Sequence, residues 1–195
     1  MRADIMKADI IILSKTWLLL KRALRSIKEH VSKESVGRIV VGWTGKEGEC
    51  TLDMVGIPGF SSTFKQFSEY NFARCNNVLA RECKSKALLF MNDDIELVSD
   101  SVSKVLSRLK DKDAGTVGIK LLYRDKTIQH LGQFVSFIGR RFAGVGHICW
   151  KKPDFKTSFP TRVIGNTAAF LAIKRQLFFD VGCFDESYKH SLEDV

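Results

Sequence analysis

The sequence of 195 residues predicts an α/β fold with a mostly parallel central sheet, flanking helices and a small antiparallel β region. Three observations indicate this class. Short apolar runs, typical of strands buried on both faces, occur at 8–13, 38–42 and 87–91. A segment with helical spacing separates the first two runs. After residue 127 the strand–helix alternation gives way to short apolar stretches interrupted by glycines.

The first elements form a βαβ unit. Residues 8–13 predict a buried strand that Ser14 closes, and 38–42 predict a second one. The helix between them, 17–30, carries an apolar stripe made of Leu20, Ala23, Leu24 and Ile27. Two strands joined by one helix pair in parallel, so both strand ends are expected at the same edge of the sheet.

The middle of the chain continues this alternation up to an acidic step, the two adjacent acids Asp93 and Asp94. The buried strand at 87–91 stops abruptly at Asn92-Asp93-Asp94. The other elements predicted here are a strand at 51–57, a helix at 72–83, a helix at about 99–109 and a strand near 116–122.

The last third departs from the βα pattern. Glycines between 127 and 150 predict a hairpin or irregular β region, followed by a strand at 163–173 and a short helix at 174–181. The chain then stops at 193–195 without a closing element. We therefore expect a single domain over 1–195, with about 1–98 as its nucleotide-binding half and about 99–195 as its acceptor-side half, cut from a longer protein at its C-terminus.

Net charge, cysteine usage and apolar content limit the kinds of molecule and compartment that suit this protein. The net charge of +9 is spread along the chain rather than gathered in one block, which argues against a nucleic-acid groove and remains compatible with a peripheral contact at the inner face of a membrane. Five widely spaced cysteines show neither a zinc pattern nor a disulfide framework, so a reducing, cytoplasmic location is expected. No apolar run is long enough for a membrane span.

The acidic step after the 87–91 strand is the main candidate for chemistry. In open α/β sheets the ligand lies outside the carboxyl ends of the strands. Asp93 and Asp94 point to opposite sides, so one can hold a hard cation while the other accepts a hydrogen bond from a sugar. Taken alone, two acids after a strand are weak evidence for a site, and an Asp-capped turn fits them better.

The surrounding motifs favour the functional interpretation. The chain resembles family 2 inverting glycosyltransferases of the GT-A fold, and among them the rhamnosyltransferase and O-antigen polysaccharide-type enzymes of bacteria. The motifs that carry the resemblance are YNFARCNN (70–77), LLFMNDDIE (88–96), VGIKLLY (117–123), TIQHLG (127–132), AGVGH (143–147), GNTAAFLAIKR (165–175), GCFDE (182–186) and EDV (193–195).

The resemblance implies transfer of a hexose or deoxyhexose, with Mn²⁺ or Mg²⁺, from a UDP-, dTDP- or GDP-type sugar to a glycan or lipid-linked glycan. It implies Asp94 as the metal-linked carboxylate. His147 is a further candidate ligand or phosphate contact, although a turn histidine fits its position as well. The donor or its nucleotide is expected at Ser14, Arg74, Asn77, Asn92 and Asp93, and the catalytic base is expected to be Asp194, with Glu193 as second choice.

Two positions depart from the family pattern. The second strand ends without the usual acid that grips the base, and Glu47 or Asp53 would have to replace it. The end of the first strand, at Ser14, lacks the usual asparagine.

These departures leave an alternative function open, a non-catalytic or degenerate nucleotide-sugar-binding domain of a larger polysaccharide-synthesis protein. A sugar-1-phosphate nucleotidyltransferase is less favoured, because no glycine-rich loop follows the first strand.

Overall fold

The structure, a computed structural model, describes residues 6–156 and 162–188. Its strands are β1 (Ala8–Ser14), β2 (Val36–Trp43), β3 (Ser62–Gln66), β4 (Ala87–Met91), β5 (Thr116–Gly118), β6 (Leu121–Leu122), β7 (Ile128–His130), β8 (Gln133–Ile138), β9 (Arg141–His147) and β10 (Phe170–Lys174). Its α-helices are α1 (Trp17–His30), α2 (Leu52–Val55), α3 (Phe72–Glu82), α4 (Ser101–Leu109) and α5 (Arg175–Asp180), and Lys33–Ser35 form a 3₁₀ turn.

Six strands form the central sheet in the order β3-β2-β1-β4-β10-β5. The first four of these are parallel, while β10 runs antiparallel to both β4 and β5. Two small antiparallel sheets, β6 with β7 and β8 with β9, lie outside it. The predicted α/β class with a mostly parallel sheet and a small antiparallel region is therefore confirmed.

Helices cover both faces of the sheet, because successive strand residues point to opposite sides. On one face α1 and α4 pack against alternate strand residues such as Ile10, Ile12 and Leu89. On the other face α3 and α5 pack against Ile11 and Phe90. Burial on both sides explains why the sequences of β1 and β4 read as continuous apolar runs.

An aromatic cluster supports the end of β4. The Phe90 ring lies 5.1 Å from that of Phe178 and 4.8 Å from that of Phe184, and Phe184 in turn contacts Phe72 at 5.6 Å between centroids. Phe90 is 1% exposed. Truncation of such a core ring costs about 3–5 kcal/mol. Packing of these rings thus anchors the strand that leads into Asp93 and Asp94.

Three predicted elements differ from the structure. Residues 51–57 contain the short helix α2 instead of a strand, and the third parallel strand is β3. The strand expected near 116–122 is split into β5 and β6. Only the end of the predicted 163–173 strand is regular, as β10.

The described helices include none with the length and apolar character that crossing a bilayer requires. The thiols of Cys75 and Cys83 are buried.

Candidate functional site

A cavity of about 460 Å³ opens at the carboxyl edge of the parallel strands, where β1 and β4 end. This volume lies in the range of small-molecule sites. The walls are residues 13–16 after β1, 92–94 after β4 and 167–169 before β10, together with Leu19, Tyr70 and Phe72. The cavity therefore occupies the position where open α/β sheets bind their ligands.

Sheet register brings Ser14 to Asp93. β1 and β4 are neighbours, and Ile11 is aligned with Phe90. Three residues further along each chain, Ser14 and Asp93 reach the same level beyond the strands. The Ser14 Oγ donates a hydrogen bond of 2.6 Å to Asp93 Oδ2. Two of the predicted donor-binding residues are thus in direct contact.

The ionised form of the Asp93 carboxyl group is disfavoured in the ligand-free protein. Its pKa is raised above the ordinary value, chiefly because partial burial removes water from the charged form, and Asp94 raises it further. The hydrogen bond from Ser14 and the nearby Lys15 act in the opposite direction. A divalent cation held at this site would offset the repulsion between the two acids.

The residues present fit a divalent cation that is shared with a ligand. Within 6–156 and 162–188, no group of three or more His, Cys, Asp or Glu side chains is placed to hold a metal by itself. Mg²⁺ and similar hard cations are usually held by one or two carboxylates, and phosphate oxygens and water complete their shell. Asp94 is exposed in the cavity beside the half-buried Asp93, which is such a donor set.

Three lining residues were missed as functional candidates, although two of them belong to the 70–77 motif. Tyr70 lies two residues before α3 and Phe72 is the first residue of that helix, and together they form an aromatic wall of the cavity. The ammonium of Lys15 lies 5.8 Å from the centroid of the Tyr70 ring. An aromatic face with a neighbouring cation suits a nucleotide, because bases stack on rings and phosphates pair with ammonium groups. The missed signal was the position of Tyr70 and Phe72 at the start of the helix.

Arg74 and Asn77 are both on α3 but neither lines the cavity. The exposed Arg74 guanidinium lies 3.4 Å from the Glu69 carboxylate. Asn77 is 2% exposed and its amide is used within the fold. It donates to the carbonyl of Phe184 and to Glu186, and it accepts from the Phe184 amide. Asn77 therefore holds the 184–186 turn, and its role at the nucleotide stays a prediction that its paired hydrogen-bonding groups do not support.

His147 lies at the end of β9 and outside the lining of the cavity. Its Nδ1 is 2.8 Å from Nδ1 of the buried His130. The described geometry thus gives His147 a histidine neighbour instead of Asp94, and its role as a metal ligand stays a prediction that the cavity does not support.

The two predicted catalytic acids, Glu193 and Asp194, lie outside the described residues. Asn92, in contrast, is half-buried in the cavity wall, where its backbone amide bonds the Ala169 carbonyl at 2.9 Å. That bond extends the β4–β10 ladder by one residue and joins two walls of the cavity.

The end of β2 contributes no acid to the cavity. Trp43 is fully buried and its indole N–H bonds the Lys46 carbonyl, so it is a packing residue. Gly42 leaves no room for a side chain, because an added Cβ would lie 2.8 Å from Leu79 and 2.9 Å from Leu13. The suggested substitutes Glu47 and Asp53 are exposed and outside the lining.

A larger groove of about 1370 Å³ adjoins the cavity and shares Leu19, Asp93 and Asp94 with it. It runs between α1, α4 and the 117–124 segment. The five basic side chains in its walls are Arg22, Lys104, Arg108, Lys120 and Arg124.

Two of these cations have acidic partners, since Lys120 pairs with Asp154 and Arg124 lies 3.8 Å from Glu96. Within the described residues, Arg22, Lys104 and Arg108 form no ion pair. Among the described residues, basic side chains in the groove walls therefore outnumber the acidic ones, which are Asp93 and Asp94 at the junction with the cavity and Glu96 beside Arg124.

Comparison with known proteins gives both sequence relatives and structural neighbours. No family model matches the chain. It is 34% identical over 134 residues to O-antigen biosynthesis protein RfbC of Myxococcus xanthus, which covers 65% of this chain and 10% of that protein. It is 31% identical over 123 residues to the uncharacterized protein y4gI of Sinorhizobium fredii, which covers 60% of this chain and 13% of that one. The chain thus spans about a tenth of the length of these relatives.

Solved structures with similar folds are glycosyltransferases. The mannosyltransferase PcManGT from Pyrobaculum calidifontis, in complex with GDP-Man and Mn²⁺, has a TM-score of 0.63 at 15% identity and covers 94% of this chain and 50% of its own. GalNAc-T7 with UDP, GalNAc and Mn²⁺ has a TM-score of 0.75 at 12% identity. The match covers 98% of this chain and 39% of GalNAc-T7. The S. aureus TarS fragment 1-349 has a TM-score of 0.66 at 18% identity. The match covers 97% of this chain and 53% of the TarS fragment. The chain therefore has the GT-A-like glycosyltransferase fold and is related in sequence to a protein of O-antigen biosynthesis.

Proposed function

We propose that the chain is the catalytic domain of a family 2 glycosyltransferase, which transfers a hexose or deoxyhexose from a nucleotide-diphosphate sugar to a glycan hydroxyl with inversion. The observation that carries this proposal is the Ser14–Asp93 hydrogen bond beside Asp94, at the shared edge of two parallel strands and inside a cavity of donor size. Two proteins of the same fold are in complex with a nucleotide or nucleotide sugar together with Mn²⁺, which supports the choice of ligand.

The two acids divide the work at the donor. Asp94, exposed in the cavity, is proposed as the metal-linked carboxylate, and Asp93, oriented by Ser14, accepts a hydrogen bond from the sugar or ribose. Bound Mn²⁺ or Mg²⁺ would neutralise the charge that develops on the departing diphosphate. Tyr70 offers its ring to the base, and Lys15 offers a cation to the phosphates.

The adjoining groove is proposed as the acceptor site, because it reaches the same two acids from another side. An acceptor hydroxyl that approaches along it can attack the anomeric carbon from the face opposite the diphosphate. A carboxylate on that side takes the proton from the hydroxyl. By resemblance this base is Asp194, with Glu193 as second choice.

Calorimetry with a panel of UDP-, dTDP- and GDP-sugars tests the donor site. We expect one class of donor to bind with Mn²⁺ and to lose at least about tenfold in affinity in the presence of a chelator. Asp94→Asn should remove the metal dependence. The matched control is Asp111→Asn, which changes an exposed acid outside both concavities. Equal affinity of the wild-type chain with Mn²⁺ and with chelator would refute the metal role.

Turnover tests the reaction itself. Slow hydrolysis of the donor, with water as acceptor, should fall about 10²- to 10⁴-fold in Asp194→Asn, while the dissociation constant of the donor stays the same. Tight donor binding without hydrolysis or transfer would favour the non-catalytic alternative, which the comparisons do not favour.

A further inference from the structure

The hairpin formed by β8 and β9 ends in exposed apolar and basic side chains. The cross-strand pairs at its tip are Phe137 with Phe142 and Ile138 with Arg141, and Gly139-Arg140 connect the strands. Gly139 has a φ of +63°, which lets the backbone reverse within two residues. The tip, defined as residues 137–142, is therefore a compact hydrogen-bonded end rather than a loose loop.

The tip projects away from the rest of the described protein. The hairpin is attached at its base, where the Gln133 amide bonds the Gly165 carbonyl. At the far end an added Cβ on Gly139 would meet no heavy atom within 4 Å, and the same holds for Gly144. The tip is thus open to solvent on more than one side.

Three large apolar side chains are concentrated there. Phe137 is 62% exposed, Ile138 79% and Phe142 60%. The two phenylalanine rings lie 6.4 Å apart in an edge-to-face arrangement, so they form one contiguous apolar surface. Single exposed apolar residues are common on proteins, but a contiguous group at a projecting end marks an interaction site.

Two arginines give this apolar surface a charge. Arg140 and Arg141 are exposed, and within the described residues neither forms an ion pair. Arginine side chains lie along apolar surface while their guanidinium groups reach phosphate oxygens. The chain as a whole carries a net charge of +9. The tip therefore suits a partner that is apolar inside and anionic at its surface.

We propose that the 137–142 tip docks the domain on an anionic lipid bilayer, with the aromatic and aliphatic side chains in the headgroup–acyl boundary and the two arginines on lipid phosphates. The dimensions agree: two residues per strand beyond the Phe137–Phe142 pair span roughly 7 Å, and interfacial elements enter to a depth of roughly 5–10 Å. A second copy of the chain suits the tip less well, because tip-to-tip pairing would bring the arginines of both copies together.

Flotation with vesicles tests the proposal. We expect the chain to bind vesicles of phosphatidylcholine with about 30% phosphatidylglycerol, and to bind pure phosphatidylcholine far less. Arg140→Gln with Arg141→Gln should lower the partition coefficient roughly 20- to 30-fold. Phe137→Ser with Ile138→Ser should lower it by about tenfold or more. Because these side chains are exposed, the variants are expected to keep the melting temperature of the wild type.

Matched variants control for generic stickiness and charge. Val181→Ser removes an apolar side chain that is 65% exposed away from the hairpin, and Lys110→Gln with Lys112→Gln removes two exposed cations. Both should bind vesicles like the wild type. Equal loss in the control and tip variants would overturn the proposal, as would wild-type binding that does not depend on anionic lipid.

A depth measurement and a mass measurement complete the test. In Phe137→Trp, brominated lipids should quench more fluorescence than they do in the wild type. A dimer in sedimentation that the Phe137→Ser, Ile138→Ser variant converts to monomer, with vesicle binding unchanged, would reassign the tip to self-association and overturn the proposal. Docking is independent of donor binding, so tip variants should bind the nucleotide sugar with unchanged affinity, whereas Asp94→Asn should float like the wild type.

Discussion

The Ser14 hydroxyl bonds the Asp93 carboxylate at 2.6 Å, and this contact joins the ends of two adjacent strands that lie 79 residues apart in the chain. Asp94, the next residue, has no hydrogen bond or ion pair within the described residues. One acid is therefore oriented by the protein, and its neighbour is available to a ligand.

Asp93→Asn should stabilise the ligand-free protein at neutral pH and lower its affinity for the sugar donor. Because the folded-state pKa of Asp93 is raised, the ionised carboxylate disfavours folding, and this effect grows as pH rises through that pKa. The melting temperature of Asp93→Asn should thus exceed that of the wild type more at pH 8 than at pH 4, both without metal. Thermal scans at the two pH values measure the difference, and a larger gain at pH 4 would contradict the assignment.

Tyr70→Ala should lower the affinity for the nucleotide about tenfold, because stacking of a base on an aromatic ring contributes about 1–3 kcal/mol. Tyr70→Phe retains the ring and should bind nearly as the wild type does. Calorimetry with the free nucleoside diphosphate and Mn²⁺ measures this, and equal losses in both variants would assign the effect to the hydroxyl instead of the ring.

Sequence patterns identified the centre of the sheet better than its margins. β1 and β4 are buried on both faces, so their sequences must be apolar and their limits stand out at Ser14 and Asn92. Among the described strands β3 pairs with β2 alone, at the edge of the sheet. Its half-exposed positions tolerate polar residues, so no hydrophobic signal marked it. The alternation of Leu52 and Met54 imitated a strand, although both side chains are exposed on α2.

The candidate site was predicted in part for a similar reason. Asp93 and Asp94 follow a strand that the sequence makes obvious, and Ser14 follows another. Their contact depends on β1 and β4 being adjacent, which is a property of sheet order that no local pattern encodes. Asn77 was assigned to the nucleotide by its motif, yet its amide is taken by Phe184, a partner 107 residues away.

Asn77→Ala should destabilise the protein and leave donor affinity nearly unchanged. The substitution leaves the Phe184 amide and carbonyl without their partner in a buried setting, at a cost of about 2–3 kcal/mol. For a chain of this length that lowers the melting temperature by about 4–12 °C. Asn76→Ala is the matched control. Within the part of the chain that the structure describes, the Asn76 amide bonds the Phe72 carbonyl of its own helix and no other group, so this substitution should cost less. Loss of donor binding in well-folded Asn77→Ala would return the residue to the nucleotide site.

Cys83, at the C-terminal end of α3, should resist alkylation as long as the protein is folded. Burial raises the pKa of its thiol to about 12, with the Asp9 charge as a further cause. Only the thiolate reacts, so at pH 8 about one molecule in ten thousand is reactive, against about one in ten for an unperturbed thiol with a pKa near 9. Mass spectrometry after iodoacetamide treatment should therefore find Cys149, which is half-buried, modified in the native protein. Cys83 should be modified only in denaturant, and its rapid modification under native conditions would mean that the end of α3 opens far more readily than its burial implies.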